Sequence, residues 1–153
     1  MKDLDWNKIK YFKKTEKWGD PLAMDFSFIK KLDQFRGEIQ NAISIHCGYE
    51  KSGHVGNSQH YLIPCSAADF HLIDYKVSPL QVYFTAEKLG FNGIGLYPNN
   101  GNWFVHLDNR KLEIGQKKAR WIRNNSGDYV SFSDKEFFKN FADIQKKYDI
   151  ITV

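Results

Sequence analysis

Aspartate and histidine alternate along two short stretches of the chain, and these pairs are the residues best suited to metal chemistry. Asp69 and His71 lie two positions apart, and so do His106 and Asp108. Both stretches read as β-strands, in which residues two apart point to the same face. If the strands are neighbours, imidazoles and carboxylates converge at one spot. A zinc site needs this: three nitrogen or oxygen ligands and an open position for water.

Composition narrows the classes of function and of partner. The chain has 153 residues and a net charge of +4, and its Lys and Arg residues are scattered. Nucleic-acid binders concentrate such cations on one face. The sequence also lacks the run of about 18 apolar residues that a membrane span needs. We therefore expect neither a nucleic-acid nor a membrane partner. We also expect a monomer, although nothing in the composition determines the oligomeric state.

Residues 1–14 are polar and lack the apolar core of a secretory signal, which predicts synthesis in the cytosol as a soluble protein. The two cysteines, Cys47 and Cys65, are too few for a cysteine-rich zinc knuckle. In that compartment, two buried reduced thiols are favoured over a disulfide. Each of the five histidines, taken singly, is more often a hydrogen-bonded polar group than a ligand, so the strand pairs carry the metal hypothesis.

Periodicity and capping signals predict the elements that position these residues. After an irregular lead-in at 1–20, Asp25 reads as the N-cap of a helix. Residues 42–46 suit a strand, 48–56 a loop and 68–74 a second strand. The predicted inward face of the helix comprises Phe28, Ile29, Leu32, Phe35 and Ile39.

The second half of the chain is also predicted to alternate between helix and strand. Ser78 and Pro79 predict the start of a helix and Gly90 its end. Two strands, 93–97 and 103–108, are joined by a turn at 98–101 and should be antiparallel. The predicted inward residues of the helix are Leu80, Tyr83, Phe84 and Leu89.

Residues 133–136 read as a capping box that opens a last helix over about 133–148. This helix carries Phe137, Phe138, Phe141 and Ile144 and should cover the core, with wall binding as the alternative. The prediction is one α+β domain over 1–153, a small antiparallel sheet flanked by helices.

An ordered set of motifs resembles the M15 peptidases, which include zinc D-alanyl-D-alanine carboxypeptidases and phage cell-wall endopeptidases. Residues 58–60 match S-x-H, and 67–71 are similar to the end of the G-x-A-x-D motif that follows it. Residues 93–98 and 104–108 resemble the G-x-G-x-Y-P…F-V-H-x-D segment of one branch, and 119–121 its R-W ending. The resemblance runs from about residue 20 to 121, and it implies the fold of that peptidase type.

The resemblance also assigns roles to residues. It implies zinc as the cofactor, with His60, Asp69 and His106 as ligands. Asp108 is then either the general base or a group that orients a ligand. His71 would orient a ligand or steady the oxyanion, or else be structural. Substrate contacts are implied for Ser58 and Tyr49, and also for Arg110 as a cation.

Four departures from the family pattern accompany these roles. The glutamate that some members place three residues before the last histidine is Trp103 here. The family's glycine is Cys65, either a packed residue or a thiolate ligand. His60 stands nine positions before Asp69 instead of seven, so residues 61–64 must bulge outward.

The fourth departure is Glu50, which replaces the arginine of an S-G-Y-R stretch. Lys51 or Arg110 would have to supply the cation. Weaker binding of a terminal carboxylate favours endopeptidase over carboxypeptidase action.

The function that the resemblance implies is zinc-dependent hydrolysis of D-amino-acid peptide bonds in peptidoglycan, with its peptide stems as partners. The setting would be an endolysin of a phage or prophage released by a holin, or a particle-borne wall-piercing enzyme. The alternative is a catalytically weakened binding or structural module that keeps the metal site.

Overall fold

The first helix forms where its capping signal predicts it. In the computed structural model, which describes residues 5–54, 56–74, 77–97 and 103–151, α1 spans Phe26–Ile39. The Asp25 carboxylate accepts hydrogen bonds from the backbone N–H groups of Ser27 and Phe28, at 2.7 and 3.2 Å. These bonds satisfy donors that the first helical turn leaves open. All five predicted inward residues of α1 are buried.

The sheet of the described residues has six strands and is mixed, so the prediction of a small antiparallel sheet is wrong in part. β3 and β5 run parallel, whereas the other neighbouring strands are antiparallel. The reason is the connection 109–118, which carries the chain from β4 past β3 to its free edge. The strands are β1 Ile43–Cys47, β2 Ala67–Leu72, β3 Gly93–Tyr97, β4 Phe104–Asp108, β5 Ala119–Arg123 and β6 Tyr129–Ser131, in the order β1-β2-β4-β3-β5-β6.

The second helix, α2, spans Pro79–Lys88 and begins at the predicted N-cap. Ser78 and Gln81 form a capping box, and Gly90 follows the helix with a φ of +74°. The predicted inward face is wrong for Leu80 and Phe84, which are 43% and 60% exposed. The apolar residues of α2 are spread around much of its circumference, so periodicity alone does not select one buried face. Packing instead buries Val82 and Ala86, while Tyr83 and Leu89 are partly buried against the core.

The third helix, α3, spans Phe137–Ile151, later than predicted. The capping box at 133–136 does not form. The Ser133 hydroxyl contacts that of Ser131 at 2.9 Å, and Asp134 Oδ1 accepts a hydrogen bond from the backbone N–H of Glu136 instead. Phe137 and Ile144 are buried, and Tyr83 of α2 packs on Phe137 and Phe141, so this helix covers the core as predicted.

The described part of the lead-in, residues 5–20, is irregular apart from a 3₁₀ turn at Trp6–Lys8. Trp18 is fully buried and its carbonyl accepts a hydrogen bond from the backbone N–H of Tyr49, which ties the lead-in to the chain after β1. The predicted turn at 98–101 lies outside the described residues. No helix in the described part of the chain is long and apolar enough to cross a membrane.

Candidate metal centre

The register of two neighbouring strands brings the predicted pairs together. β2 and β4 are adjacent and antiparallel, and Asp69 stands directly opposite His106. Asp69 Oδ1 lies 2.7 Å from His106 Nδ1. The expectation that these strands are neighbours is therefore confirmed.

His60 reaches the same place from the segment between β1 and β2. It lies in a short 3₁₀ helix, Gln59–Tyr61, whose N-cap Ser58 accepts a hydrogen bond from the His60 N–H at 3.3 Å. His60 Nε2 is 3.3 Å from His106 Nδ1 and 3.5 Å from Asp69 Oδ2. Leu62 and Ile63 are more than half exposed, so the two additional residues bulge toward solvent while His60 still reaches its neighbours.

These separations suit a tetrahedral zinc ion. Bonds of about 2.0–2.2 Å at tetrahedral angles place neighbouring nitrogen and oxygen ligands roughly 3.3–3.5 Å apart. The two distances measured from His60 Nε2 fall in that range. His60, Asp69 and His106 therefore form a donor set that fits the metal implied by the resemblance.

Each imidazole is oriented by a hydrogen bond from its other nitrogen. His60 Nδ1 donates to the Gly48 carbonyl at 2.6 Å, and His106 Nε2 donates to Asp108 Oδ2 at 2.9 Å. Such bonds set the tautomer and aim the remaining lone pair at a metal. They direct Nε2 of His60 and Nδ1 of His106 to one point.

Asp108 is fully buried behind His106. Burial raises the pKa of its carboxyl, but hydrogen bonds with His106 and Arg110 outweigh this and hold the pKa well below its usual range. Arg110 Nη2 and Nε donate to it at 2.6 and 2.9 Å. Because Asp108 contacts the side of the imidazole remote from Asp69, its position favours the orienting role over the general base.

Two glycines of β3 make room for the side chains behind the site. A Cβ at Gly93 would lie 2.1 Å from Asp108 Oδ2, and one at Gly95 would lie 2.4 Å from the Trp121 ring. Neither distance is tolerable, and the Asp108 carboxylate is buried and held by Arg110. The G-x-G of the sequence motif is therefore a steric requirement of this site.

Gly93→Ala should displace Asp108 from His106 and lower zinc affinity by about 10–100-fold, the usual effect of losing an orienting partner. Chelator competition measures this directly. The matched control is Gly56→Ala, because a Cβ there meets nothing within 4 Å. Equal zinc affinity in both variants would contradict the steric role of Gly93.

The pKa values of His106 and Asp69 are both shifted by their mutual contact. Burial lowers the pKa of its imidazole, but hydrogen bonds with Asp108 and Asp69 outweigh burial and raise the pKa of His106 to about 9. Burial raises the pKa of the Asp69 carboxyl, but hydrogen bonds with His106 and His60 outweigh burial and hold this pKa well below its usual range. Without a cation, His106 is thus a protonated bridge between two carboxylates.

Zinc bound at this site would displace that bridging proton, so its apparent affinity should rise with pH by about tenfold per unit between pH 7 and 9 and then level off. Stability of the zinc-free protein should change in the opposite sense. The interactions that raise the pKa of His106 stabilise the folded protein fully below the unfolded pKa of roughly 6.5. This stabilisation is lost as pH rises through about 9. Zinc titrations and denaturant unfolding at several pH values test both trends, and flat profiles would contradict them.

The three residues open onto a cavity of about 800 Å³. Its wall includes three cations, Arg110, Lys111 and Arg123. Among the described lining residues, Asp69 is the only carboxylate. The cavity therefore favours an anionic or carbonyl-bearing ligand by charge.

Several predicted residues lie elsewhere. His71 contacts His46 through its Nδ1, and neither His71 nor Tyr49 is among the described residues that line the cavity. Tyr49 is partly buried against the core. Cys65 is fully buried, and its Sγ approaches the carbonyls of Gln59 and Ala67 at 3.7 and 3.6 Å.

The Cys65 contacts match the packing interpretation. Burial raises the pKa of its thiol to about 11, so it remains protonated at neutral pH. Both cysteines are free. Ser58 and Arg110, by contrast, do line the cavity, whereas Lys51 is not among the described residues that do so.

Some cavity residues were not predicted. The Trp121 ring lies 5.2 Å from that of His106, and its Nε1 donates to the Tyr97 hydroxyl at 2.9 Å. Both belong to segments already matched by motif, so the signal was present. Lys111, Arg123 and His54 follow no periodic pattern, and only the folded chain brings them to the cavity.

Comparisons of the chain with protein-family models, with curated proteins and with solved structures found no match.

Proposed function

We propose that this chain is a zinc-dependent peptidase that hydrolyses D-amino-acid-containing peptide bonds of bacterial peptidoglycan. One observation carries the metal part of the proposal. His60, Asp69 and His106 converge on the wall of an open cavity, with His60 Nε2 at tetrahedral ligand spacing from the other two, and the other nitrogen of each imidazole is hydrogen-bonded to an oxygen. The substrate part rests on the ordered motifs of the sequence, which resemble those of M15 peptidases.

Each residue of the site has a distinct role in the proposed reaction. Bound zinc supplies Lewis-acid polarisation of the scissile carbonyl and activation of water. His60, Asp69 and His106 hold the ion, and Asp108 fixes the ring of His106. Arg110, itself fixed by Asp108, presents a cation to the cavity for a substrate carbonyl or carboxylate.

The proposal includes both bond types because the described lining of the cavity contains cations but not Glu50. Its carboxylate pairs with His54 Nε2 at 3.0 Å, and Glu50 is not among the described residues lining the cavity. Arg110, Lys111 and Arg123 are there instead. A terminal carboxylate thus meets positive charge, so the proposal covers carboxypeptidase as well as endopeptidase action.

The biological setting of the proposal is a phage or prophage lysis or wall-piercing enzyme. Peptidoglycan peptide stems are its substrate, and the net charge of +4 favours approach to an anionic wall. The chain would act there as a monomer.

A catalytically weakened binding module is the second candidate, and one observation favours it. Apart from the proposed ligand Asp69, the described residues that line the cavity include no carboxylate to serve as a general base. Trp103 occupies the position where some M15 members have glutamate. Such a module would bind zinc and peptidoglycan without cutting either bond type.

Purified sacculi distinguish the two candidates. The enzyme should release new amino groups over time, and a chelator should stop the release until zinc is restored. Muropeptide analysis of the digest then separates cleavage of cross-links from removal of terminal D-alanine. Zinc binding without any released amino group between pH 6 and 9 would leave only the binding module.

A further inference from the structure

The last residue of β1 and the segment that follows it carry three side chains of metal-ligating type that the proposed peptidase site does not use. They are Cys47, Glu50 and His54, which lie in one short stretch of sequence. Cys47 Sγ is 3.6 Å from His54 Nε2 and 3.4 Å from Nδ1 of His60. Glu50 Oε2 lies 3.0 Å from His54 Nε2. One sulfur and two nitrogens therefore surround a second point, on the opposite side of the His60 ring from Asp69, and the Glu50 carboxylate lies beside the His54 nitrogen.

The spacing of these atoms is that of a thiolate metal site. Zinc–sulfur bonds of about 2.3 Å and zinc–nitrogen bonds of about 2.0–2.1 Å, at tetrahedral angles, separate sulfur from nitrogen by roughly 3.5–3.6 Å. Both sulfur–nitrogen distances lie within about 0.2 Å of this value. The rings of His54 and His60 are stacked, 4.3 Å apart and 7° from parallel. Because a ring nitrogen binds a cation in the plane of its ring, the partly exposed His54 side chain must turn for both rings to share one ion.

The site is also accessible. Cys47 is buried, whereas the side chains of His54 and Glu50 are 24% and 40% exposed. His54 lines the cavity, which offers a cation a way in. A thiolate and two imidazoles prefer soft or borderline cations to calcium or magnesium.

We propose that Cys47, Glu50, His54 and Nδ1 of His60 form a second cation site, for a soft or borderline divalent ion such as Zn²⁺, Co²⁺ or Cd²⁺. It is separate from the site of Asp69 and His106 but shares the ring of His60. Because it needs none of the peptidase chemistry, it stands whether or not the chain cuts peptidoglycan.

The shared ring couples the two sites. His60 Nδ1 donates to the Gly48 carbonyl, and this bond must be given up when a cation takes its place. Filling both sites makes His60 a bridging imidazolate, which releases the Nδ1 proton to solvent. Burial and the neighbouring Glu50 carboxylate hold the pKa of the Cys47 thiol well above its usual range, so the cation must displace that proton as well. The second ion should therefore bind more weakly than the first and more tightly at higher pH.

Cobalt titration of the purified full chain tests the proposal. The wild type should bind two equivalents of Co²⁺, and a thiolate-to-cobalt charge-transfer band in the near ultraviolet should appear with the second. Cys47→Ser should abolish the band and one equivalent. Cys65→Ser is the matched control, since it removes a thiol that belongs to neither donor group, and it should change neither readout.

Two further variants separate the two sites and test the second site without replacing Cys47. His106→Gln removes a ligand of the first site only, so the band should persist even if peptidase activity is absent or lost. His54→Gln weakens the second site by another route and should reduce the band if Cys47→Ser fails to fold. A wild type that binds one equivalent without the band, or a band that survives in folded Cys47→Ser, would overturn the proposal.

Discussion

Replacing His106 by alanine should remove bound zinc and lower hydrolysis of peptidoglycan by about a thousandfold or more. The ion contributes several kcal/mol of transition-state stabilisation, and each 1.4 kcal/mol or so is a factor of ten in rate. In the proposed zinc site His106 supplies one of three ligands, and it is also the contact that connects Asp69 with Asp108. Its loss therefore removes a donor and leaves the buried Asp108 carboxylate and the partly buried Asp69 carboxylate without their shared partner. Metal content by elemental analysis and amino-group release from sacculi are the two measurements.

The control for this experiment is His71→Ala. His71 lies on the same face of β2 as Asp69, but its ring contacts His46. Zinc content should stay at the wild-type value, which separates a ligand from a nearby histidine on the same strand. Full zinc occupancy in His106→Ala would contradict the proposed site, because the ion would then be held by other residues.

Replacing Asp108 by asparagine should lower zinc affinity by about 10–100-fold and leave the rate at saturating zinc much less affected. Asparagine keeps the shape but removes the charge that holds His106 Nε2–H and the Arg110 guanidinium. A general base would respond differently, with a lower kcat at unchanged zinc affinity. Zinc titration followed by rate measurement at saturation therefore assigns the role of Asp108.

The same substitution should also destabilise the fold. Breaking a buried ion pair by removing one partner costs about 3–5 kcal/mol, and the lower end applies because the Arg110 side chain is 26% exposed. Urea unfolding of the zinc-free protein measures this cost without the contribution of metal binding. Wild-type stability in Asp108→Asn would mean that solvent already satisfies Arg110.

The sequence alone determined the local features of the fold. Asp25 and the helical spacing after it specify α1, because capping and periodicity act within a few residues. The same local logic put Asp69 and His71 on one face of β2 and identified Ser78 as an N-cap. It failed at α2, whose apolar residues fit more than one face.

Only the tertiary structure decided which strands are neighbours and what meets across them. Strand periodicity sets the face of a side chain but not its partner, so the pairing of Asp69 with His106 required the register of β2 on β4. The approach of His60 depends on an irregular segment, and the parallel β3–β5 pair depends on a connection that passes the end of β3. These contacts join residues distant in sequence, and their energies depend on burial and packing, which no local pattern encodes.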